Sequence, residues 1–182
     1  MNQQILDIPG KSDVYLRSIE LEDVQSLYDL IVDSRQHLKT YQPWAADATL
    51  ESTTEKIKSN LERIKNGEFL QFRIISRDES KYSGIVGTVS FHNRQEKCPV
   101  TLMGYWVSKD AEGKGYAYAG CKRAIEYALN DWGIEHIVLE IDPDNERSEH
   151  LAARLGAFDQ GVLSQIDGDG QELKSKVWVI TK

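Results

Sequence analysis

The run Glu112–Ala117 (EGKGYA) contains residue types that can bind an anion at the start of a helix. The spacing of apolar residues predicts that the longest helix of the chain, 114–131, begins inside this run, after a strand. Backbone N–H groups in a first helical turn have no intrahelical acceptor and carry partial positive charge, so a pyrophosphate can accept hydrogen bonds from them. Glycine lets this backbone approach a ligand closely, and Lys114 could add a cation.

Two other phosphate-binding motifs are excluded by the same residues. The P-loop needs the pattern G-x-x-x-x-G-K-S/T, which the sequence does not contain. The dinucleotide fingerprint G-x-G-x-x-G needs a glycine at position 118, where the chain has Tyr118. A Gly-x-Gly before a helix is equally typical of a tight loop that only leads into the helix. The local motif therefore leaves a phosphate site and a plain loop open.

The elements that must position this loop predict a mixed α/β arrangement around one sheet. Three strands in the middle of the chain have links too short for crossover helices, so they are predicted to form an antiparallel meander. The short helix that follows the fifth strand has Asn145 as its N-cap and Gly156 after its end. The predicted strands lie at 14–18, 69–76, 85–91, 101–107, 136–141, 158–166 and 173–181, and the predicted helices at 20–33, 50–65, 114–131 and 145–155, with a turn at 167–170 between the last two strands.

Composition narrows the class of protein. The 182 residues suit one domain, and no run of about 18 apolar residues or secretory signal is found, so no membrane association is predicted. A net charge of −7 argues against a nucleic-acid partner and is compatible with a cationic amine substrate. Two cysteines, Cys98 and Cys121, make no disulfide framework, so a cytoplasmic location is expected. The histidines are scattered, so no metal site is predicted.

An ordered set of motifs carries a family resemblance. Met103–Val107, the glycine loop, its helix, Asp142–Ser148 and Arg154–Gly156 follow one another as in the GNAT acetyltransferase superfamily. The chain resembles most the RimJ/RimL-type branch, which acetylates the N-terminal alanine or serine of ribosomal proteins. The resemblance implies a single domain over residues 1–182, with a mixed, mostly antiparallel central sheet flanked by helices. It also implies acetyl-CoA as the cosubstrate.

The resemblance places the cofactor's pyrophosphate on the glycine loop. The family pattern Gln/Arg-x-x-Gly-x-Gly/Ala falls on Glu112, Gly115 and Ala117. A glutamate thus replaces the usual Gln or Arg, and because a carboxylate repels phosphate, we expect Glu112 to point outward. The cofactor-binding residues implied here are Gly113, Lys114, Gly115, Tyr116 and Ala117.

Two further segments gain roles from the resemblance. The family's Gly-Tyr-Trp strand end falls on Gly104–Trp106, where the strand splays from its neighbour and Trp106 and Val107 offer backbone groups to the pantetheine amides. The family's Asn-x-x-Ser falls on Asn145 and Ser148, near the thiol end of the cofactor. Ser148 is then the group expected to donate a hydrogen bond to the leaving thiolate. A first-turn serine that bonds only the backbone is the alternative.

The acceptor side is the least determined part of the predicted site. By resemblance, Tyr41 and Trp44 line the acceptor pocket, although packing of Trp44 on the core is an equal alternative. Asp167 lies where the family has a candidate glutamate base, and a turn residue is the alternative for this aspartate. Glu20 is another conceivable carboxylate, and its alternative role is to interact with the helix dipole.

The expected reaction is direct attack of a neutral amine on the thioester, in which the cysteines have no role. An α-amine with a pKa of about 8 needs only a weak base, whereas a lysine amine near 10.4 is mostly charged. The favoured acceptor is therefore a protein N-terminus, of a ribosomal or another protein. The alternatives are a small-molecule amine as acceptor, a non-catalytic acetyl-CoA-binding module and a structural protein that shares the fold, and homo-oligomerisation is left open.

Overall fold

The computed structural model describes residues 4–9, 11–79, 81–92, 94, 99–166 and 172–182, in which the chain forms strands β1–β8 and helices α1–α4. The strands are β1 (Ile5–Ile8), β2 (Lys11–Ser18), β3 (Leu70–Ser76), β4 (Ile85–His92), β5 (Val100–Val107), β6 (His136–Ile141), β7 (Phe158–Ile166) and β8 (Glu172–Thr181). The helices are α1 (Val24–Leu38), α2 (Leu50–Lys65), α3 (Tyr116–Asn130) and α4 (Glu146–Arg154).

The strands form one sheet in the order β1-β2-β3-β4-β5-β6-β8-β7. Among the strands of the described residues only the pair β5–β6 is parallel, and every other neighbouring pair is antiparallel. The predicted mixed, mostly antiparallel sheet is confirmed, and so is the meander formed by β3, β4 and β5. No helix in the described part of the chain is long and apolar enough to cross a membrane.

Both faces of the central strands are covered. Phe72 and Ile74 on β3 belong to the larger core together with Cys121 of α3, whereas Ile75 belongs to a second cluster with Ile57 of α2. Burial raises the pKa of the Cys121 thiol, which keeps this residue neutral, so it packs as a small apolar side chain. Alternate side chains of β3 therefore belong to two different cores.

One charged residue interrupts the apolar pattern of β3. The Arg73 side chain is fully buried, and it contacts the carboxylate of Asp23 and, at 3.7 Å, that of Glu20. Its guanidinium also donates to the Ser18 carbonyl. Since buried charge is tolerated only when it is paired, these contacts explain how a strand with an arginine lies inside the sheet.

Among the differences between the predicted and the observed elements are the two ends of α1 and an additional strand, β1. Helix α1 begins at Val24 rather than residue 20, because a 3-10 turn at Leu21–Asp23 comes first, and it continues to Leu38 because Ser34 occupies a buried position of the helix. Strand β1 was not predicted, since four residues are too few to show a period, and it forms by pairing with β2. The predicted turn at 167–170, Asp167 and Cys98 lie outside the described residues.

Candidate active-site cleft

The parallel strands β5 and β6 separate in the middle of the sheet. Their pairing covers only Val100–Leu102 with His136–Val138. Beyond this point β5 stays paired with β4 as far as Val107, and β6 stays paired with β8 as far as Ile141. The second half of β5 therefore has an edge that β6 does not cover. The splay expected from the Gly104–Trp106 motif is present.

A cleft of about 1000 Å³ opens at this divergence. Its walls come from the end of β5, the loop and first turn of α3, the first turns of α4 and the connection between α1 and α2. A volume of this size suits a large, extended ligand. The predicted site residues that line it are Tyr41, Trp106, Val107, Gly113, Gly115, Tyr116, Ala117, Asn145 and Ser148.

Three predicted site residues lie elsewhere or cannot be placed. Lys114 lines a second cavity of about 310 Å³, so this placement does not support its expected role as a cation in the cleft. Trp44 is 47% exposed, its indole donates to Gln42, and its ring centroid lies 6.2 Å from that of Trp106. It is thus a neighbour of the cleft wall rather than part of the lining. Asp167 is outside the described residues.

The glycine loop presents backbone donors to the cleft. Gly113 and Gly115 have φ of 72° and 75°, a left-handed conformation that favours glycine. Gly115 is the N-cap of α3, and the first bond inside the helix runs from the Ala119 N–H to the Gly115 carbonyl at 3.0 Å. The amides of Tyr116 and Ala117 precede that bond, as an anion site at a helix start requires. A Cβ built on Gly113 meets no atom within 4 Å, so there is space beside the loop for a ligand.

Glu112 does not point outward, and that expectation is wrong. The residue lines the cleft, and both of its carboxylate oxygens accept hydrogen bonds from Arg147 Nη1, at 2.8 and 2.7 Å. His37 Nε2 lies 3.3 Å from the same carboxylate. The negative charge is therefore matched by the arginine, which removes the repulsion on which the expectation rested.

The start of α4 holds Ser148 at the floor of the cleft. The Asn145 side chain caps the helix by accepting from the Ser148 N–H at 3.2 Å, as predicted for an N-cap. The Tyr105 hydroxyl donates to the Ser148 carbonyl at 3.4 Å, and burial raises the pKa of Tyr105, which keeps this donor protonated. The Ser148 hydroxyl has no hydrogen bond to any described residue, so it is available to a ligand.

The connection between α1 and α2 reaches across to the same helix. Tyr41 is 40% exposed, and its hydroxyl donates to the Asp144 carbonyl at 3.1 Å. This bond joins the α1–α2 connection to the loop before α4 and closes one side of the cleft. Glu20 does not line the cleft. Its carboxylate instead lies 3.7 Å from the buried Arg73 side chain of β3.

Several lining residues were not identified from the sequence. They include Arg147 and Arg154, which are seven positions apart on α4 and therefore lie on the same side of the helix. The Arg154 guanidinium lies 4.5 Å above the ring of Tyr118 and joins α4 to the start of α3. Their spacing of seven residues is the signal that would have placed the two arginines on one face of this helix. Among the described residues no group of His, Cys, Asp or Glu is placed to hold a metal ion.

Comparison with known proteins agrees with this geometry. The family model described as "Acetyltransferase (GNAT) domain" matches residues 13–157. The ribosomal-protein-serine acetyltransferase of Escherichia coli (strain K12) is 24% identical, over 84% of this chain and 83% of its own length. The spermidine N(1)-acetyltransferase of the same strain is also 24% identical, over 86% of this chain and 78% of its own length.

A solved structure shows the same fold. RimL, a ribosomal α-N-protein acetyltransferase in complex with coenzyme A, superposes with a TM-score of 0.85 and 18% identity, over 98% of both chains. At this identity the likeness speaks for the fold alone, while the family model covers most of the sequence. The chain belongs to the GNAT acetyltransferase family.

Proposed function

We propose that the chain transfers the acetyl group of acetyl-CoA to a primary amine, and that its acceptor is the N-terminal α-amine of a protein. Acetyl transfer follows from the family, and the acceptor is the part that goes beyond it. The observation that carries the proposal is the meeting of the open edge of β5, the free first turn of α3 and Ser148 in one cleft.

The cleft residues fit the chemical parts of acetyl-CoA in order. The first-turn amides of Tyr116 and Ala117, beside the two left-handed glycines, match a diphosphate. The unpaired edge of β5 near Trp106 and Val107 matches the amides of the pantetheine arm, which can bind as an additional strand does. Asn145 and Ser148 line the same cleft, and we assign the thiol end of the cofactor to them. Lys114, which lines the other cavity, is left out of this proposal.

The chain's own groups account for the steps of the transfer. When bound, acetyl-CoA supplies an activated acetyl thioester. A backbone N–H on the open edge of β5, near Trp106 and Val107, stabilises negative charge on the carbonyl oxygen. The Ser148 hydroxyl donates a hydrogen bond to the sulfur that leaves, whose thiol has a pKa of about 8.5 in the absence of the protein. Holding the amine beside the thioester contributes much of the rate.

The ion pair between Glu112 and Arg147 favours an acceptor amine with a low pKa. The Glu112 carboxylate lines the cleft but is bonded to Arg147, so it is poorly suited to remove a proton from a strongly basic amine. An α-amine with a pKa of about 8 is partly neutral near pH 7.5 and needs no strong base. Asp167 stays a prediction as a base. A ribosomal or other protein N-terminus is the proposed acceptor, and spermidine-like small amines are the alternative.

A panel of acceptors tests this choice. Purified protein and acetyl-CoA are incubated with peptides that begin with serine or alanine, with the same peptides blocked at the N-terminus but carrying a lysine, and with spermidine. Released thiol measures turnover and mass spectrometry locates the acetyl group. We expect turnover only with free N-termini. Turnover with spermidine alone would identify the small-amine alternative, and tight binding of acetyl-CoA without any turnover would identify a non-catalytic module.

The placement of the cofactor has its own test. Ligand at a hundredfold excess over Kd stabilises a protein by about 2.7 kcal/mol, which a thermal melt detects. Gly115→Trp fills the anion site, so we expect it to abolish the shift caused by acetyl-CoA. Gly161→Trp is the matched control, because Gly161 also has a left-handed φ, of 93°, but lies on β7 and does not line the cleft. An acetyl-CoA shift that survives in Gly115→Trp would refute the placement.

Location and assembly stay predictions. A cytoplasmic enzyme would meet newly made proteins and reduced thiols, which agrees with the proposed acceptor. Self-association is supported by the edge strand β7, whose apolar residues Val162 and Ile166 are exposed. Light scattering measures the oligomeric state directly.

A further inference from the structure

We infer that Arg147 completes the anion site of this chain, cancelling the charge of Glu112 and donating its remaining N–H groups to the cofactor's diphosphate. The inference rests on the proposed function, since it concerns the same cleft. Glu112 is then a positioning residue that holds the arginine beside the glycine loop.

The starting point is a charge that the glycine loop should not tolerate. Glu112 stands where the family has Gln or Arg, and it lines the cleft together with Gly113 and Gly115. A lone carboxylate at this position would repel a diphosphate bound to the loop and weaken its attraction to the partial positive charge of the first helical turn. A chain that keeps its cofactor needs a cation at the same place.

Arg147 is that cation by its geometry. Its Nη1 bonds both carboxylate oxygens of Glu112, at 2.8 and 2.7 Å, although Glu112 lies in the loop before α3, Arg147 lies in the first turn of α4, and the two are 35 positions apart. The Glu112 contact raises the pKa of Arg147, which remains charged. Nε and Nη2 of Arg147 make no hydrogen bond to the described residues. An arginine held from one side therefore keeps donors for an anion on the other.

The exposure of the pair agrees with a ligand-binding role rather than a structural one. The Arg147 side chain is 80% exposed and that of Glu112 is 30% exposed. Surface ion pairs of this kind add little to stability, so the fold does not depend on the contact. Arg147 also lines the cleft itself, one residue before Ser148. The same first turn of α4 thus serves both ends of the cofactor.

The test compares thioesters with and without a diphosphate, so a contact with the diphosphate can be distinguished from a contact with the rest of the cofactor. KM is measured for acetyl-CoA, for acetyl-dephospho-CoA and for S-acetylpantetheine, which has no diphosphate. For Arg147→Gln we expect KM to rise at least about tenfold with the first two thioesters, since a charged hydrogen bond is lost and a carboxylate is left facing the phosphates. KM for S-acetylpantetheine should change less than about twofold, because that thioester carries no phosphate to contact Arg147.

A second substitution isolates the neutralising role. In Glu112→Gln/Arg147→Gln the unpaired carboxylate is gone but the hydrogen bonds from Arg147 are still missing, so we expect KM for acetyl-CoA to recover only part of the way from the Arg147→Gln value towards the wild type. Arg77→Gln is the matched control, since Arg77 is also an exposed arginine paired with an aspartate, at 3.6 Å from Asp7 and away from the cleft. It should leave all three KM values unchanged.

Several results would overturn the inference. The first is an unchanged KM for acetyl-CoA in Arg147→Gln, and the second is a KM for S-acetylpantetheine that rises as much as that for acetyl-CoA. The third is a KM for acetyl-dephospho-CoA that does not rise in Arg147→Gln. The fourth is a KM for acetyl-CoA that is as high in the double variant as in Arg147→Gln. All of them require a wild-type protein that turns over acetyl-CoA. A wild type that neither binds nor turns over acetyl-CoA would instead refute the proposed function, so the two failures are distinguishable.

Discussion

Ser148 is the side chain on which the proposed chemistry depends most directly. Its backbone N–H is used by the Asn145 cap, its carbonyl accepts from Tyr105, and its hydroxyl faces the cleft without a described partner. The backbone contacts fix the position of the residue while the hydroxyl stays available. Removing the hydroxyl should therefore affect the reaction and leave the helix cap in place.

We expect Ser148→Ala to lower kcat by about 10- to 100-fold with little change in KM, because the hydroxyl bonds a sulfur that gains charge only as the thioester breaks. Steady-state kinetics with the best acceptor of the panel measure both constants. Ser164→Ala, on the exposed strand β7, is the control and should behave as the wild type. An unaltered kcat in Ser148→Ala would leave this serine with a structural role only.

The residues of the site differ in how far the sequence could predict them. Asn145 and Ser148 follow from a motif with fixed spacing, and the structure places both at the cleft. The contact between Glu112 and Arg147 depends on how the sheet brings the loop before α3 next to α4, so no local pattern contains it. The left-handed Gly115 turns the chain at the helix start, and Lys114 consequently lines a different cavity from its neighbours.

At the scale of elements, β3 shows how a charge can lie inside a sheet. Arg73 is fully buried and Asp23 is 4% exposed, and the two side chains form an ion pair. Burial lowers the pKa of Arg73 to about 9, and the residue remains charged at neutral pH. The group joins β3 to the turn before α1, on the side of the sheet that carries α1 and α2.

We expect Arg73→Met to destabilise the protein by about 3 kcal/mol, because it leaves the buried Asp23 carboxylate without its main partner. Arg17, whose Nη2 lies 3.4 Å from Asp23, keeps the loss at the lower end of the range for such pairs. Urea unfolding of the wild type and of Arg73→Met measures the change in the free energy of unfolding. Arg77→Gln breaks only an exposed ion pair and should cost less than about 0.5 kcal/mol. Equal midpoints for the two variants would contradict the role given to Arg73.

The elements that the sequence predicted best are those with strong local end signals. Helix α2 runs over the predicted 50–65, since Thr49 caps it by accepting from Ser52 and a left-handed Gly67 follows its end. Helix α1 was misplaced at both ends because its buried face continues through the polar Ser34. Strand β1 has no local signal of its own and exists through its pairing with β2.

At the scale of the whole molecule, the order of elements was predictable but the position of the cleft was inferred only through the family. The periodicity of apolar residues predicted the meander and the later strands. The parallel pairing between β5 and β6, however, ends after three residue pairs, and the reason lies outside either strand. Each strand is held by its outer partner, β4 or β8, and the sheet opens between them. The cleft is thus a property of the complete sheet.

Global stability should depend on pH through a histidine inside this sheet. His92 on β4 lies beside Ser90, with 2.9 Å between Nε2 and Oγ, and its ring packs against Phe69 with centroids 4.8 Å apart. Burial, with smaller contributions from Arg63 and Lys56, lowers the pKa of His92 to about 4. An unfolded chain has an ordinary histidine pKa of about 6.5.

Between these two pKa values the unfolded state binds a proton that the folded state does not, so stability falls as the pH falls from about 6.5 towards 4. The linkage amounts to about 2 kcal/mol of lost unfolding free energy at pH 5 relative to pH 8. Urea unfolding at pH 8 and at pH 5 should show this loss in the wild type and in the control variant His136→Gln, which changes a histidine on β6. In His92→Gln the loss between the two pH values should be smaller by about 2 kcal/mol. Since His92→Gln can also change stability at every pH, the decisive quantity is the difference between the two pH values within each variant. If that difference is the same in His92→Gln and the wild type, another group carries the pH dependence.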